Sequence, residues 1–219
     1  MNIFLYWNRI DSDSKSIYKF LKDQDFRDTI SQNHSLTILE PYSRFSLTET
    51  IQAQIAQSDL ALFFTHGEED VILKSKNHCS FIDPKNAQLL SNKRVIAICC
   101  SSAKQLGPLC VDAPVYSKFY IGFQEPITYD DGTHKIVRGL IYTSYSDAFK
   151  VAFQHAISTN CTAKQFVLML RKSISDMLTS KILSETNNRV LGSLSTVNFH
   201  YASAASLVVL GDATLPVFS

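Results

Sequence analysis

Asp59-Leu60-Ala61-Leu62-Phe63-Phe64-Thr65-His66-Gly67 and Arg94-Val95-Ile96-Ala97-Ile98-Cys99-Cys100-Ser101-Ser102 decide the fold of this chain. Each is a short, nearly continuous apolar run, the pattern of a strand buried on both faces within a parallel sheet. Each also ends in residues that can do chemistry.

Working outward, apolar runs alternate with amphipathic stretches along the chain, which is the signal for βαβ units. Residues 3–7 read as a first strand and 13–21 as a helix with Ile17, Phe20 and Leu21 on one face. A second strand is expected over 35–39, and a helix over 48–57 with Ile51 and Ile55 one turn apart. Residues 68–94 are mostly polar and read as a loop region with a short helix near 84–90. A helix from Ala103, a strand over 118–123, and an acidic Pro/Gly-marked loop over 124–132 come next. Two helices over 146–157 and 162–178 and a last strand over 206–210 complete the order. No linker, repeat or low-complexity segment divides the 219 residues, so one domain over 1–219 is expected.

Composition narrows the classes of function. With 45% hydrophobic and 19% charged residues the chain can bury a substantial core and does not read as disordered. Lys plus Arg total 21 against 20 for Asp plus Glu, which removes the electrostatic case for nucleic acid or an anionic membrane as partner. Five cysteines, two of them adjacent, and an N-terminus without a basic region fit a reducing cytoplasm. Apolar runs fall far short of the roughly 20 residues that span a bilayer, so no membrane association is expected. No cysteine pair has zinc-knuckle spacing, and His66, His78 and Cys79 alone make a weak metal case; neither metal nor cofactor is expected.

Two strands that end in His66 and Cys100 set both residues at strand C-termini, where open α/β sheets bind ligands. Sequential strands are usually neighbours, so Phe64 and Ile98 are expected on adjacent parallel strands, with His66 facing Cys100. A thiol whose proton passes to an imidazole is a nucleophile active at neutral pH. Gly67 lacks a Cβ that would hinder substrate, and its N–H, with that of Cys100, can form an oxyanion hole. The plainer alternatives are a turn at His66-Gly67 and a cysteine used as a small core hydrophobe. Strand alternation puts Cys99 and Cys100 on opposite faces.

These segments resemble the caspase-like cysteine peptidases, a family that includes caspases, gingipains, separases and bacterial CHAT domains. The stretch 59–67 looks like the family's strand ending in His-Gly. The stretch 95–102 is similar to its strand ending in a small residue and the nucleophile, and Gly211-Asp212-Ala213-Thr214-Leu215 is similar to its closing Gly-Asp-Pro-Thr/Ser-Leu motif. The segment 81–90 resembles the CHAT segment between the two catalytic strands. Departures are Cys99 in place of Ala or Gly and Ala213 in place of Pro. The resemblance implies a three-layer α/β sandwich with a mostly parallel sheet and helices on both faces. It further implies peptide hydrolysis by Cys100 with His66, on a protein or peptide substrate, in a bacterial setting under a regulatory partner acting in trans, with defence as a role known in the family. Cys100, directly before Ser-Ser, is the expected nucleophile, with Cys99 as the alternative. A catalytically silent interaction module with the same fold is the rival reading. A flavodoxin-like nucleotide domain is disfavoured, because Trp7-Asn8-Arg9 stands where a glycine-rich phosphate loop would follow the first strand.

For the substrate pocket, the loop after residues 118–123 carries Glu125, Asp130 and Asp131, which favour an Arg or Lys side chain. Arg9, at the same rim, would instead accept an acidic one. Solvated charges around an uncharged pocket are the third option. The run Glu68-Glu69-Asp70 is expected in a solvated loop, with orientation of His66 as an alternative. Tyr6 and Trp7 are expected to pack at the end of the first strand, and Asp212 to tie down the C-terminal turn.

Overall fold

The computed structural model describes all residues except 42, 44, 76–79, 128–134 and 185–193. Its centre is a six-stranded sheet in the order β2-β1-β3-β7-β8-β9. The strands are β1 (Asn2–Trp7), β2 (Ser35–Leu39), β3 (Leu60–Phe64), β7 (Arg94–Ile98), β8 (Phe119–Phe123) and β9 (Leu207–Gly211). The first five run parallel, and β9 returns antiparallel to β8. Every residue of β3, β7 and β8 is buried, as strands covered on both faces require.

Side-chain alternation divides the interior into two cores. On one face Leu62, Phe64, Ile96 and Ile98 meet α1 (Ser12–Ile17), α2 (Gln24–Ser31), α5 (Lys135–Thr159) and α6 (Ala163–Ser184). On the other, Phe63, Val95 and Ala97 meet α3 (Glu49–Gln57) and α4 (Leu106–Val111). The chain is thus a three-layer α/β sandwich. A final helix, α7 (Leu194–Ala205), leads into β9 and packs against α6.

The segment read as a polar loop over 68–94 instead contains a three-stranded antiparallel sheet of β4 (Gly67–Glu68), β5 (Val71–Leu73) and β6 (Ser80–Ile82). Its strands are two or three residues long, too short for a visible alternation. What stabilises them is burial of Ile72, Phe81 and Ile82 against the second core, with the Phe81 ring 4.5 Å from Tyr6 and 5.7 Å from Phe63. Burying a ring of that size contributes about 1.5–3 kcal/mol.

Helix α1 stops at Ile17, and a 3₁₀ turn over Lys19–Lys22 follows. Asp23 then caps α2, which places Phe26 and Ile30 one turn apart in the core and was absent from the sequence expectation. The short helix expected near 84–90 is a 3₁₀ turn over Ala87–Leu90. Helices α5 and α6 run longer than their apolar patterns indicated. Tyr6 and Trp7 are fully buried, as expected. Asp212 ties its turn through Thr214, while the carbonyls of Ala213 and Leu215 receive the first N–H groups of α6. The Gly211–Leu215 motif therefore closes a helix start. Gly211 is required there by its φ of +79° and by the Lys118 carbonyl, 2.8 Å from where a Cβ would stand.

Candidate active site

The last register pair of β3 and β7 is Phe64 with Ile98. Beyond it the two chains leave the sheet side by side, which brings Thr65-His66-Gly67 and Cys99-Cys100 together at its C-terminal edge. Alternation then separates the cysteines. Cys99 is fully buried in the second core, whereas Cys100 is partly exposed and packs against the first. Cys100 and His66 line one narrow cavity of about 20 Å³, enough for about one water. Asp13, Ser14, Tyr18 and Ile127 contribute to its walls.

Burial pushes the Cys100 thiol up to about 11, against the opposing pull of the Ile127 N–H on the sulfur. Cys99 is pushed further, to about 12, by burial that outweighs its hydrogen bond with Ser102. Among the described residues no hydrogen bond joins the Cys100 thiol to the His66 ring. The backbone turns directly after Cys100, where Ser101 has a φ of +52°. That left-handed conformation costs a non-glycine residue about 1 kcal/mol. The Glu125 carbonyl accepts the Ser101 N–H at 3.3 Å and helps hold the turn.

His66 is fixed from both ends. Its carbonyl accepts the Leu73 N–H at 2.9 Å, and the Thr65 hydroxyl donates to the Leu73 carbonyl at 2.7 Å, so β5 clamps the backbone. Its Nε2 lies 3.1 Å from Asp11 Oδ1 and 3.2 Å from Ser14 Oγ. Asp11 is the N-cap of α1 and accepts the Ser14 N–H; its other oxygen accepts the amide of the buried Asn8 at 2.6 Å. Burial works against the Asp11 charge, but the His66 hydrogen bond and charge, with the Ser14 and Asn8 donors, hold the carboxyl well below its ordinary range. Asp11 is therefore an anion set against the imidazole.

Gly67 is required by packing. A Cβ there would lie 2.8 Å from the Cys100 carbonyl oxygen and 2.9 Å from Cys99 Sγ. The missing side chain is what lets the loop after β3 close on the end of β7.

The chain is similar over 98% of its length to a solved structure described as "Structure of Protease". The TM-score is 0.60 at 13% identity, so the likeness is one of fold, and this chain spans 48% of that protein's length. No family model and no curated protein matches the sequence.

The expected pocket charges are distributed unevenly. Glu125 is exposed at the rim, with its charge felt by Lys104. The Arg9 guanidinium pairs with Glu40 at 3.3 Å and stacks 4.7 Å over the Trp7 ring. Asp130 and Asp131 lie outside the described residues, as do His78 and Cys79. Of the acidic run, Glu69 binds Lys104 and Gln105 rather than His66. The carboxylate at the imidazole is Asp11, which the sequence reading passed over. Its signal was an N-cap aspartate between the end of β1 and the first helix, at the same sheet edge as His66. Asp13 was passed over as well. It lies in the cavity wall, and the Tyr142 hydroxyl donates to it at 3.0 Å.

Among the described residues no cluster of three His, Cys, Asp or Glu side chains could hold a metal ion. No described helix is long and apolar enough to cross a membrane.

Proposed function

We propose that this chain is a caspase-like cysteine peptidase domain with Cys100 as nucleophile and His66 as its acid/base partner. One observation carries the reading: His66 and Cys100, delivered by adjacent parallel strands, line the same cavity. The fold shared with a protease supports it.

Burial raises the Cys100 thiol above its ordinary value, so this reading assigns its deprotonation to the imidazole at the moment of attack. His66 takes the Cys100 proton as Sγ bonds to the scissile carbonyl carbon, then passes that proton to the leaving amine as the C–N bond breaks. A water, deprotonated by His66, releases the acyl group and returns the thiol. With Nε2 engaged by Asp11 and Ser14, Nδ1 is the nitrogen that serves the thiol. Asp11 balances the imidazolium that forms. In this reading the Gly67 and Cys100 amides are the oxyanion donors.

Asp13 extends the case for a basic side chain before the scissile bond, since it adds a carboxylate to the Ile17 and Tyr18 wall of the cavity. The narrowness of the cavity and the high thiol also favour control by a partner that opens the site. A bacterial, defensive setting rests on the sequence resemblance alone. The same two features favour the second reading, a silent interaction module. Covalent capture by a library of electrophilic peptides, with the labelled residue mapped, decides between them: label on Cys100 that vanishes in Cys100→Ala supports the peptidase, and no reactive thiol at either position supports the module.

A further inference from the structure

Tyr18 stands at the C-cap of α1, 3% exposed, with its ring edge-on to Phe64 at 5.5 Å and 6.0 Å from Phe149. Its hydroxyl meets two main-chain carbonyls, that of Ile98 at 2.6 Å and that of Thr65 at 3.1 Å. Thr65 immediately precedes His66, and Ile98 is two residues before Cys100. The helix that Tyr18 ends is the one whose N-cap is Asp11 and whose first turn carries Ser14. One phenol therefore touches the end of β3, the end of β7 and α1, the three elements that supply His66, Cys100 and the His66 partners.

We propose that Tyr18 is a positioning residue, whose hydroxyl holds the strand ends of His66 and Cys100 in register with each other and with Asp11. The proposal rests on the Cys100–His66 reading. The physical case is that the β3–β7 ladder ends at Phe64 and Ile98, so the segments that bear the reactive groups lie beyond the last register pair. Buried carbonyls at such ends require donors, and the single hydroxyl proton of a phenol on a third element is shared between the two, with the shorter contact to Ile98. Burial raises the Tyr18 hydroxyl well above its ordinary range, so it remains a neutral donor at any working pH. The ring contacts fix where the hydroxyl stands. Misplacing reacting groups by about 1 Å costs on the order of 100-fold in rate, so loosening this tie should appear in turnover rather than in binding.

Tyr18→Phe keeps the ring and removes the hydroxyl. In the full chain, at a temperature where circular dichroism shows it folded, kcat on a peptide substrate is expected to fall about 10- to 100-fold, with KM within about twofold. Iodoacetamide labelling of Cys100 supplies a readout that does not need turnover. His66→Ala should change the labelling rate by about tenfold or more in the wild-type background and by less than about twofold in the Tyr18→Phe background. Replacing Tyr18 by 3-fluorotyrosine retains the donor and should restore wild-type kcat. A Tyr18→Phe protein with kcat within about twofold of wild type and an intact His66 effect overturns the proposal, whatever its melting temperature. So does loss of activity with 3-fluorotyrosine, which would make packing the cause. If the wild type alone cleaves no peptide, as control by a partner would allow, the labelling decides alone: coupling present in the wild type and lost without the hydroxyl supports the tie, and any other pattern sinks it.

Discussion

Asp11 Oδ1 stands 3.1 Å from His66 Nε2, joining the N-cap of α1 to the histidine just past β3. One carboxylate thus starts a helix and faces an imidazole, and the two tasks can be separated. Asp11→Ala should lose both, with about 1 kcal/mol of stability and about 100-fold in kcat. Asp11→Ser keeps a capping oxygen but not the charge, so it should melt near wild type while kcat still falls. Melting curves beside kinetics on one peptide check this; full activity in the serine variant would remove Asp11 from the mechanism.

The two adjacent cysteines should behave differently. Cys100→Ala is expected to abolish turnover and electrophile labelling, and Cys99→Ala to retain most activity with a core loss on the order of 1 kcal/mol. Because the resting Cys100 thiol lies near 11, its labelling rate by a small neutral alkylator should keep rising above pH 9 instead of levelling off there. Mass spectrometry that finds the label on Cys99 would reverse the assignment.

Gly67→Ala tests the close approach of the two loops. The new methyl would meet the Cys100 carbonyl at 2.8 Å, and a backbone atom cannot swing aside as a side chain can. A loss of about 1–3 kcal/mol is expected in denaturant titration. Adding Cys99→Ala should relieve little of it, since the carbonyl remains; full rescue would show that the sulfur alone made the clash.

Acid should act through His200, which is fully buried, with Nδ1 3.3 Å from the Tyr145 hydroxyl. Burial lowers it from 6.5 to about 4. A histidine depressed in the folded state contributes stability that is present above its unfolded value near 6.5 and lost as pH falls toward 4. The loss amounts to about 3 kcal/mol at most, by the usual 1.36 kcal/mol per pH unit. Melting temperatures from pH 7 to pH 4 should therefore drop, and His200→Gln should flatten that slope. An unchanged slope in the variant would place the acid sensitivity elsewhere.

Substrate profiling with fluorogenic peptides should find cleavage after Arg or Lys, weakened by Asp13→Asn more than by Glu125→Gln, because Glu125 is exposed and Asp13 lines the cavity. To accept an acidic residue, Arg9 would have to leave Glu40 and the Trp7 ring. Cleavage after Asp but not after Arg or Lys would show that it does.

The sequence by itself determined the centre of the sheet and the two strand ends that carry His66 and Cys100. Leu60–Phe64 and Val95–Ile98 are apolar throughout, the pattern of a strand covered on both faces, so their place at the centre and the positions of His66 and Cys100 beyond them were legible. The period of two likewise put Cys99 and Cys100 on opposite faces in advance. Tertiary structure decided everything that depends on partners distant in the chain. The strands β4–β6 exist because Phe81 finds Tyr6 and Phe63, and no local pattern in two or three residues announces such burial. Asp11 lies 55 positions before His66 and was legible only as a helix cap. Tyr18 was legible only as an apolar helix position, and its bonds to Thr65 and Ile98 span 47 and 80 residues. Local propensity and periodicity act over a few residues, so they fix which elements form. Hydrogen-bond partners of a buried polar group are chosen by packing, which brings together segments that the sequence keeps apart.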